Sequence, residues 1–406
     1  LLVLLCLAWG AVAAWTVSRY TSAAGDVVAT SEPLSLDGQQ IYRSLSDADA
    51  TAASAFLSGG LEPLATRQRY LADIAQAASS LEAATAAAGH LRAGQDLAKL
   101  SAGLPVYAGE VETARADNRL GLPLGAAYLR EASALMRGTL LPAARGLYAR
   151  ANTRLSAENR QATSLPPALI AVLVALVVGY VLYRAQRWLS ARTHRRINLG
   201  LALASVAGVA SLLWLVVALG VARVELGQAR AHGSAPVETL AKADIAALQA
   251  HADESLTLID NSGDDSFQAD FLAVRKNLGP GPGTLLTAAA GYASGSPAAA
   301  SATAAKADAT AWYAAHQKVR SLDDNGEHAQ AVELSIGSGA DHSGTLFRRL
   351  DGALTSAIAA DQAVFRTHAV AGRNAAGGLV AGVIVLSVVM ACGCAWGLAR
   401  RLAEYR

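Results

Sequence analysis

Residues 165–222 read LPPALIAVLVALVVGYVLY, RAQRWLSARTHRRI and NLGLALASVAGVASLLWLVVALGVA: two uncharged apolar stretches, 165–183 and 198–222, around an arginine-rich loop at 184–197. Each stretch is near the roughly 20 residues that cross a hydrocarbon core. Residues 1–18 and 375–399 are apolar and uncharged in the same way. The chain therefore reads as an all-α membrane protein with four transmembrane helices, and a mean hydropathy of +0.29 agrees. Segment 1–18 reads as a retained anchor, because no charged region precedes it and no clean cleavage site follows it.

Arginine sets the expected orientation. The loop holds Arg184, Arg187, Arg192, Arg195 and Arg196 with no acid, and the tail at 400–406 holds Arg400, Arg401 and Arg406 against Glu404. The positive-inside bias places both in the cytoplasm. Residues 19–164 and 223–374 are then extracytoplasmic domains of a multi-pass plasma-membrane protein with cytoplasmic termini.

Those two domains repeat one another. At an offset of 204, Val17, Arg19, Ala48, Asp49, Ser58 and Gly59 match Val221, Arg223, Ala252, Asp253, Ser262 and Gly263. After a two-residue slip, Tyr107, Asp117 and Gly138-Thr139-Leu140 match Tyr313, Asp323 and Gly344-Thr345-Leu346. A constant offset over this length indicates duplication of a whole domain.

Each domain reads as a helical bundle. Ile41, Leu45, Ala48, Ala52 and Phe56 keep helical spacing, as do Ile245, Leu248, Ala252, Leu256 and Ile259. Further helices are predicted over about 64–81, 90–117 and 125–164, giving a four-helix sensor-type bundle whose outer helices continue into the membrane. Gly279-Pro280-Gly281-Pro282-Gly283 should break the second helix of the second bundle, since Pro removes a donor and Gly costs backbone entropy. The membrane junctions differ too: Pro166-Pro167 stiffens the first, whereas Gly372, Gly377 and Gly378 leave the second pliable.

Catalytic and cofactor patterns are missing: there is no Ser/His/Asp set, phosphate loop, zinc spacing or kinase motif. The run 260–265 superficially suggests a calcium loop, but its Gly is misplaced and the closing Glu is absent. His251, His316, His328, His342 and His368 lack ligand spacing and read as core or surface histidines. All three cysteines, Cys6, Cys392 and Cys394, lie in apolar segments, so the outer domains have no disulfide. The apolar segments carry no ionisable Asp, Glu, Lys, Arg or His, which argues against ion-coupled transport. Small residues Gly200, Ala204, Gly208, Gly378 and Gly382 read as helix-packing stripes. No enzyme, cofactor or nucleic-acid partner is expected.

Charge divides unevenly. Residues 19–164 carry 14 basic and 14 acidic residues, whereas 223–372 carry 11 and 17. Asp260, Asp264, Asp265, Asp323, Asp324 and Glu327 form a candidate partner-docking tip on the acidic second domain, where a negative field would steer a basic partner. Inside, Arg187, Arg192 and Arg196 are the candidate cytoplasmic relay.

The run Gln40-Ile41-Tyr42-Arg43-Ser44-Leu45-Ser46-Asp47-Ala48-Asp49-Ala50-Thr51, the duplicated domains, the Arg-rich loop and the terminal Arg400-Arg401-Leu402-Ala403-Glu404-Tyr405-Arg406 resemble the actinobacterial GlnX-type membrane proteins. The resemblance implies a relay. An extracytoplasmic solute-binding lipoprotein senses glutamate or aspartate, the membrane protein detects that state, and a cytosolic Ser/Thr protein kinase, reached directly or through an adaptor, adjusts nitrogen and carbon metabolism. Two other readings stay open: direct small-molecule sensing by the bundles, with Arg43, Arg67 and Arg69 as candidate ligand groups, and a structural envelope scaffold. Homo-oligomerisation is open as well.

Overall fold

The computed structural model describes residues 1–26, 31–87, 94–162, 166–193, 198–260 and 265–403. It is helical, with no strand among the described residues, and four helices are long and apolar enough to cross a membrane. The chain is an all-α membrane protein. It divides into a span unit (Leu1–Ala29, Leu155–Ala229 and Arg366–Arg406) and a bundle unit (Thr30–Arg154 and Arg230–Phe365).

The span unit contains α1 (Leu2–Asp26), α7 (Pro166–Thr193), α8 (Leu199–Ala229) and α15 (Leu379–Ala403). Its core joins Trp9 and Ala13 of α1, Leu201 and Leu215 of α8, and Val383 and Met390 of α15. Small residues let α8 and α15 approach closely. A Cβ on Gly200 would lie 2.5 Å from the Gly393 carbonyl oxygen and 2.6 Å from Gly397, so only glycine fits there. Ala204 faces Gly393, Gly208 packs on Met390 and Gly382 on the Trp214 ring. Gly378 differs from that stripe. Its φ of +74° forms the turn between α14 (Ser343–Ala375) and α15, and a Cβ there would meet nothing within 4 Å. It is a turn residue rather than a packing one. The cysteines also separate: Cys6 and Cys394 are buried with sulfurs 3.8 Å apart, and Cys392 is exposed.

In the bundle unit the first bundle comprises α2 (Glu32–Leu57), α3 (Leu64–Ala87), α4 (Gly94–Arg119), and α5 (Leu124–Leu135) joined to α6 (Leu141–Ala162) by a π-helical turn, Met136–Leu140. The second comprises α9 (Ala235–Ile259), α10 (Ser266–Leu278), α11 (Leu285–Ala293), α12 (Ala299–Asp324), α13 (His328–Ile336) and α14. The Gly-Pro run ends α10, as its chemistry requires. A second interruption, between Ile336 and Ser343, was not foreseen. Gly337 and Gly339 explain it, because each glycine costs a helix about 1 kcal/mol. At the 206-residue offset this gap corresponds to residues 131–136, directly ahead of the π-turn of the first bundle, so both fourth helices are irregular at nearly the same level.

The two bundles, which the sequence reading treats as separate domains, are parts of one compact unit. Helices α2 and α9 lie against each other and are buried over most of their surface. Ile245, Leu256 and Ile259 of α9 belong to the same apolar core as Ile41, Leu45 and Tyr107 of the first bundle. Small side chains such as Ala48, Ala50, Ala52 and Ala53, on several faces of α2, permit this. A helix without a broad polar face has to be covered on both sides.

Candidate functional site: a charged seam between the bundles

Where α2 and α9 meet, the first bundle supplies the cations and the second supplies most of the carboxylates. Arg43 on α2 reaches Asp244 on α9 at 2.8 Å and Asp351 on α14 at 2.7 Å, and donates to the Thr355 hydroxyl at 3.1 Å. Arg69 on α3 holds Asp47 at 2.9 Å and the other oxygen of Asp351 at 3.0 Å. Arg137 extends from the π-turn to Asp253 at 2.5 Å, with Asp270 at 3.8 Å and Asp49 at 4.0 Å. Asp49 also accepts from the Ser133 hydroxyl at 2.8 Å. Arg130 reaches Asp260 at 3.4 Å. Further hydrogen bonds fill in: Arg145 and Gln249 both donate to the Tyr42 hydroxyl, at 2.7 and 3.4 Å, and Asn152 donates to Glu238 at 2.9 Å.

The π-turn explains how Arg137 comes to lie there. One extra residue in the turn rotates the helix past it, and such insertions recur at functional sites. At the 204-residue offset Asp49 and Asp253 correspond, so one guanidinium lies beside two equivalent aspartates.

Carboxylates outnumber cations around Arg43 and Arg69. Burial, reinforced by Asp47, pushes Asp73 up to about 8, and burial pushes Asp244 up to about 7 against the pull of Arg43. Burial likewise raises Asp47 and Asp49, and carries Asp253 up to about 6. One oxygen each of Asp73 and Asp244 is buried without a hydrogen-bond partner among the described residues. The cluster holds more carboxylates than arginines, and Asp73 and Asp244 answer the imbalance by keeping protons near neutral pH.

A pH dependence follows. Acids whose folded pKa is raised stabilise the fold at low pH, and that contribution is lost as pH rises through the folded values, here from about 6 to about 8. His251, held down to about 4 by burial, acts oppositely, but only below its free value of about 6.5. The full chain in lipid nanodiscs should therefore gain about 1–2 kcal/mol between pH 8.5 and 6.5, after allowing for screening at half-buried Asp73. A melting temperature flat or falling across that interval would contradict it.

The second bundle holds another buried acid. Glu254 accepts from His316 Nδ1 at 2.8 Å and from the Ser343 and Ser335 hydroxyls at 2.6 and 3.3 Å, while Trp312 Nε1 donates to Ser343 at 2.9 Å. Burial alone would raise its pKa, yet the bonds from His316 and Ser343 hold it below the usual value. The ring of His316 stacks on Phe271 and that of His251 on Phe347, with centroids 3.5 and 4.0 Å apart. No metal-binding group of His, Cys, Asp and Glu occurs among the described residues.

The residues proposed from sequence are placed as follows. Asp323 and Asp324 are both tied to Arg320, at 2.8 and 2.5 Å, and His328 also meets Asp323. With Asp260 on Arg130, much of the acidic tip is internally neutralised. Asp265 and Glu327 are exposed, and Asp264 lies outside the described residues. Arg187 is exposed on α7; Arg196 and the side chain of Arg192 lie outside the described residues. Arg43 and Arg69 are consumed by the seam, and Arg67 by Glu112 at 2.8 Å. The acidic excess noted in the sequence thus has a structural use, because Asp244, Asp253, Asp260 and Asp351 answer arginines of the first bundle. Sequence reasoning missed the seam. The available signal was Asp49 matching Asp253 within a helix of small residues.

Comparison with known proteins adds one match. Residues 23–160, about a third of the chain, match the family model for the actinobacterial sensor domain. No curated protein and no solved structure matches. The matched segment covers the first bundle, including Arg43, Arg69 and Arg137 of the seam, so the chain is similar to actinobacterial sensor proteins where its seam cations lie.

Proposed function

We propose that this chain is a non-enzymatic transmembrane signalling protein. Its bundle unit senses the ligand state of an extracytoplasmic amino-acid-binding lipoprotein, and the change passes to a cytosolic Ser/Thr protein kinase that controls nitrogen and carbon metabolism. The observation that carries the reading is the seam. It is a buried charge lattice with more carboxylates than arginines, and a lattice of this kind has discrete alternative pairings that a docked partner can bias. Helical continuity provides the output. Helices α6 and α14 each begin in the bundle unit and end in the span unit, and α8 runs through a π-turn, Arg230–Ser234, into α9. Direct sensing is the weaker reading, since the arginines that could hold an amino-acid carboxylate already hold protein carboxylates.

The topology on which this rests makes its own prediction. In intact cells a cysteine at Thr193 should resist an impermeant maleimide, while one at Ser262 should label. Labelling at both would place the arginine loop outside and end the proposal.

The functional test is deletion in the native host. External glutamate or aspartate should no longer alter phosphorylation of the kinase's substrate, and the response should return with the wild-type chain. A response that persists unchanged without the chain overturns the relay. In a restored strain, Arg187, Arg192 and Arg196 replaced together by Lys keep the charge but lose bidentate recognition. A normal response from that correctly inserted variant would move the output contact elsewhere.

A further inference from the structure

In the span unit, α7 is the least buried of the four apolar helices, and a slot of about 610 Å³ opens between it and α1, α8 and α15. Its wall is apolar, built by Trp9, Val178, Leu182, Val209, Leu212 and Met390. Toward the arginine loop the lining changes to Tyr183, Gln186, Arg187 and Ser190. Arg187 donates to the Tyr183 hydroxyl at 3.4 Å and has no carboxylate partner among the described residues. In the sequence around it no Asp or Glu occurs between Glu158 and Glu225.

We propose that this slot binds one anionic phospholipid, with an acyl chain along the apolar wall and the headgroup phosphate on Arg187 and Tyr183. Three properties select that occupant. Lining residues 175 to 190 of α7 cover about 22 Å of helix, enough for a headgroup and much of a chain within one leaflet of a core about 30 Å thick. The volume suits a ligand of lipid-chain size, whereas a transmembrane helix about 10 Å across and 30 Å long occupies roughly 2,400 Å³. Among the described residues the one cation lining the slot, Arg187, stands at one end, and it belongs to a segment of five arginines without an acid, so an anionic headgroup is favoured over a zwitterionic one. Gly179 borders the open space of the slot, where a Cβ would meet nothing within 4 Å.

The test is native mass spectrometry of the full chain released from nanodiscs of equal phosphatidylglycerol and phosphatidylcholine. About one phosphatidylglycerol should stay bound per chain, and added inorganic phosphate should not displace it. Arg187→Gln should reduce the preference for the anionic lipid about fivefold, as loss of one basic group implies. Gly179→Leu, which fills the slot and favours the helix, should remove the retained lipid of either type. Equal retention of both lipids by the wild type overturns the proposal, as does displacement by phosphate alone. So does retention unchanged in Gly179→Leu, or a lipid-free dimer in place of the lipid-bound monomer.

Discussion

Replacing Arg137 with Ala should destabilise the bundle unit more than any other single loss of charge at the seam. Asp253 is 2% exposed and Asp49 is 4% exposed, and both would lose their nearest cation. Removing one partner of a buried pair leaves the other charge uncompensated, at a cost of about 3–5 kcal/mol. The Arg137 side chain is itself 26% exposed, so the lower figure applies. For a unit of this size about 3 kcal/mol lowers the melting temperature by roughly 6–12 °C. Two controls make the cause visible. The penalty should shrink as pH falls from 8 toward 5, because a proton can then replace the guanidinium on Asp253. A second substitution, Asp253→Asn, should recover part of the loss at pH 8, because the carboxamide needs no counter-charge. A deficit independent of pH and untouched by Asp253→Asn would mean that Arg137 acts through packing on Phe267, over which its guanidinium lies, rather than through charge.

The legible and the hidden parts of this molecule differ in how far apart the decisive residues are. Apolar runs such as 165–183 carry their meaning locally, since an uncharged stretch of that length has one stable setting in a bilayer. Gly279–Gly283 is local in the same sense, and the break appears where the prolines stand. The Gly200 and Gly382 contacts were legible because small residues at helical spacing imply close approach. Gly378 belonged by spacing to that stripe, yet its backbone conformation makes it a turn, and spacing carries no information about φ. The seam was out of reach for a different reason. Arg43 lies 201 residues from Asp244 and 308 from Asp351, so no window of sequence contains both partners. Arg137 also depends on a π-turn, which composition does not announce. The acidic excess of the second bundle was visible as a number, but a net charge does not say which face it covers. Exposed steering surface was the natural expectation, and several of those acids prove to be interior counter-charges.

Glu254→Ala should produce the other large effect, and it should be local before it is global. The 204-residue offset puts Ala50 at the equivalent place in the first bundle, so the helix itself tolerates alanine there. What the second bundle would lose is the acceptor for His316, Ser343 and Ser335 together, three bonds gathered on a fully buried carboxylate. Leaving such groups unsatisfied, with a cavity in place of the side chain, costs about 3–5 kcal/mol. Ser335 lies in the last turn of α13 and Ser343 begins α14, so Glu254 clamps both sides of the glycine-bearing gap between them. Amide exchange should therefore accelerate first in α13 and the opening turn of α14, at denaturant concentrations where α2 to α4 are still protected. Glu254→Gln, which keeps an acceptor without the charge, should fall between the two. The wild type should show the same loosening in acid: a carboxylate whose folded pKa is depressed stabilises above its free value of about 4.3 and loses that contribution as pH falls through the folded value. Uniform loss of protection across both bundles would show that Glu254 supports the whole unit instead of this junction, and the gap between α13 and α14 would then need another clamp.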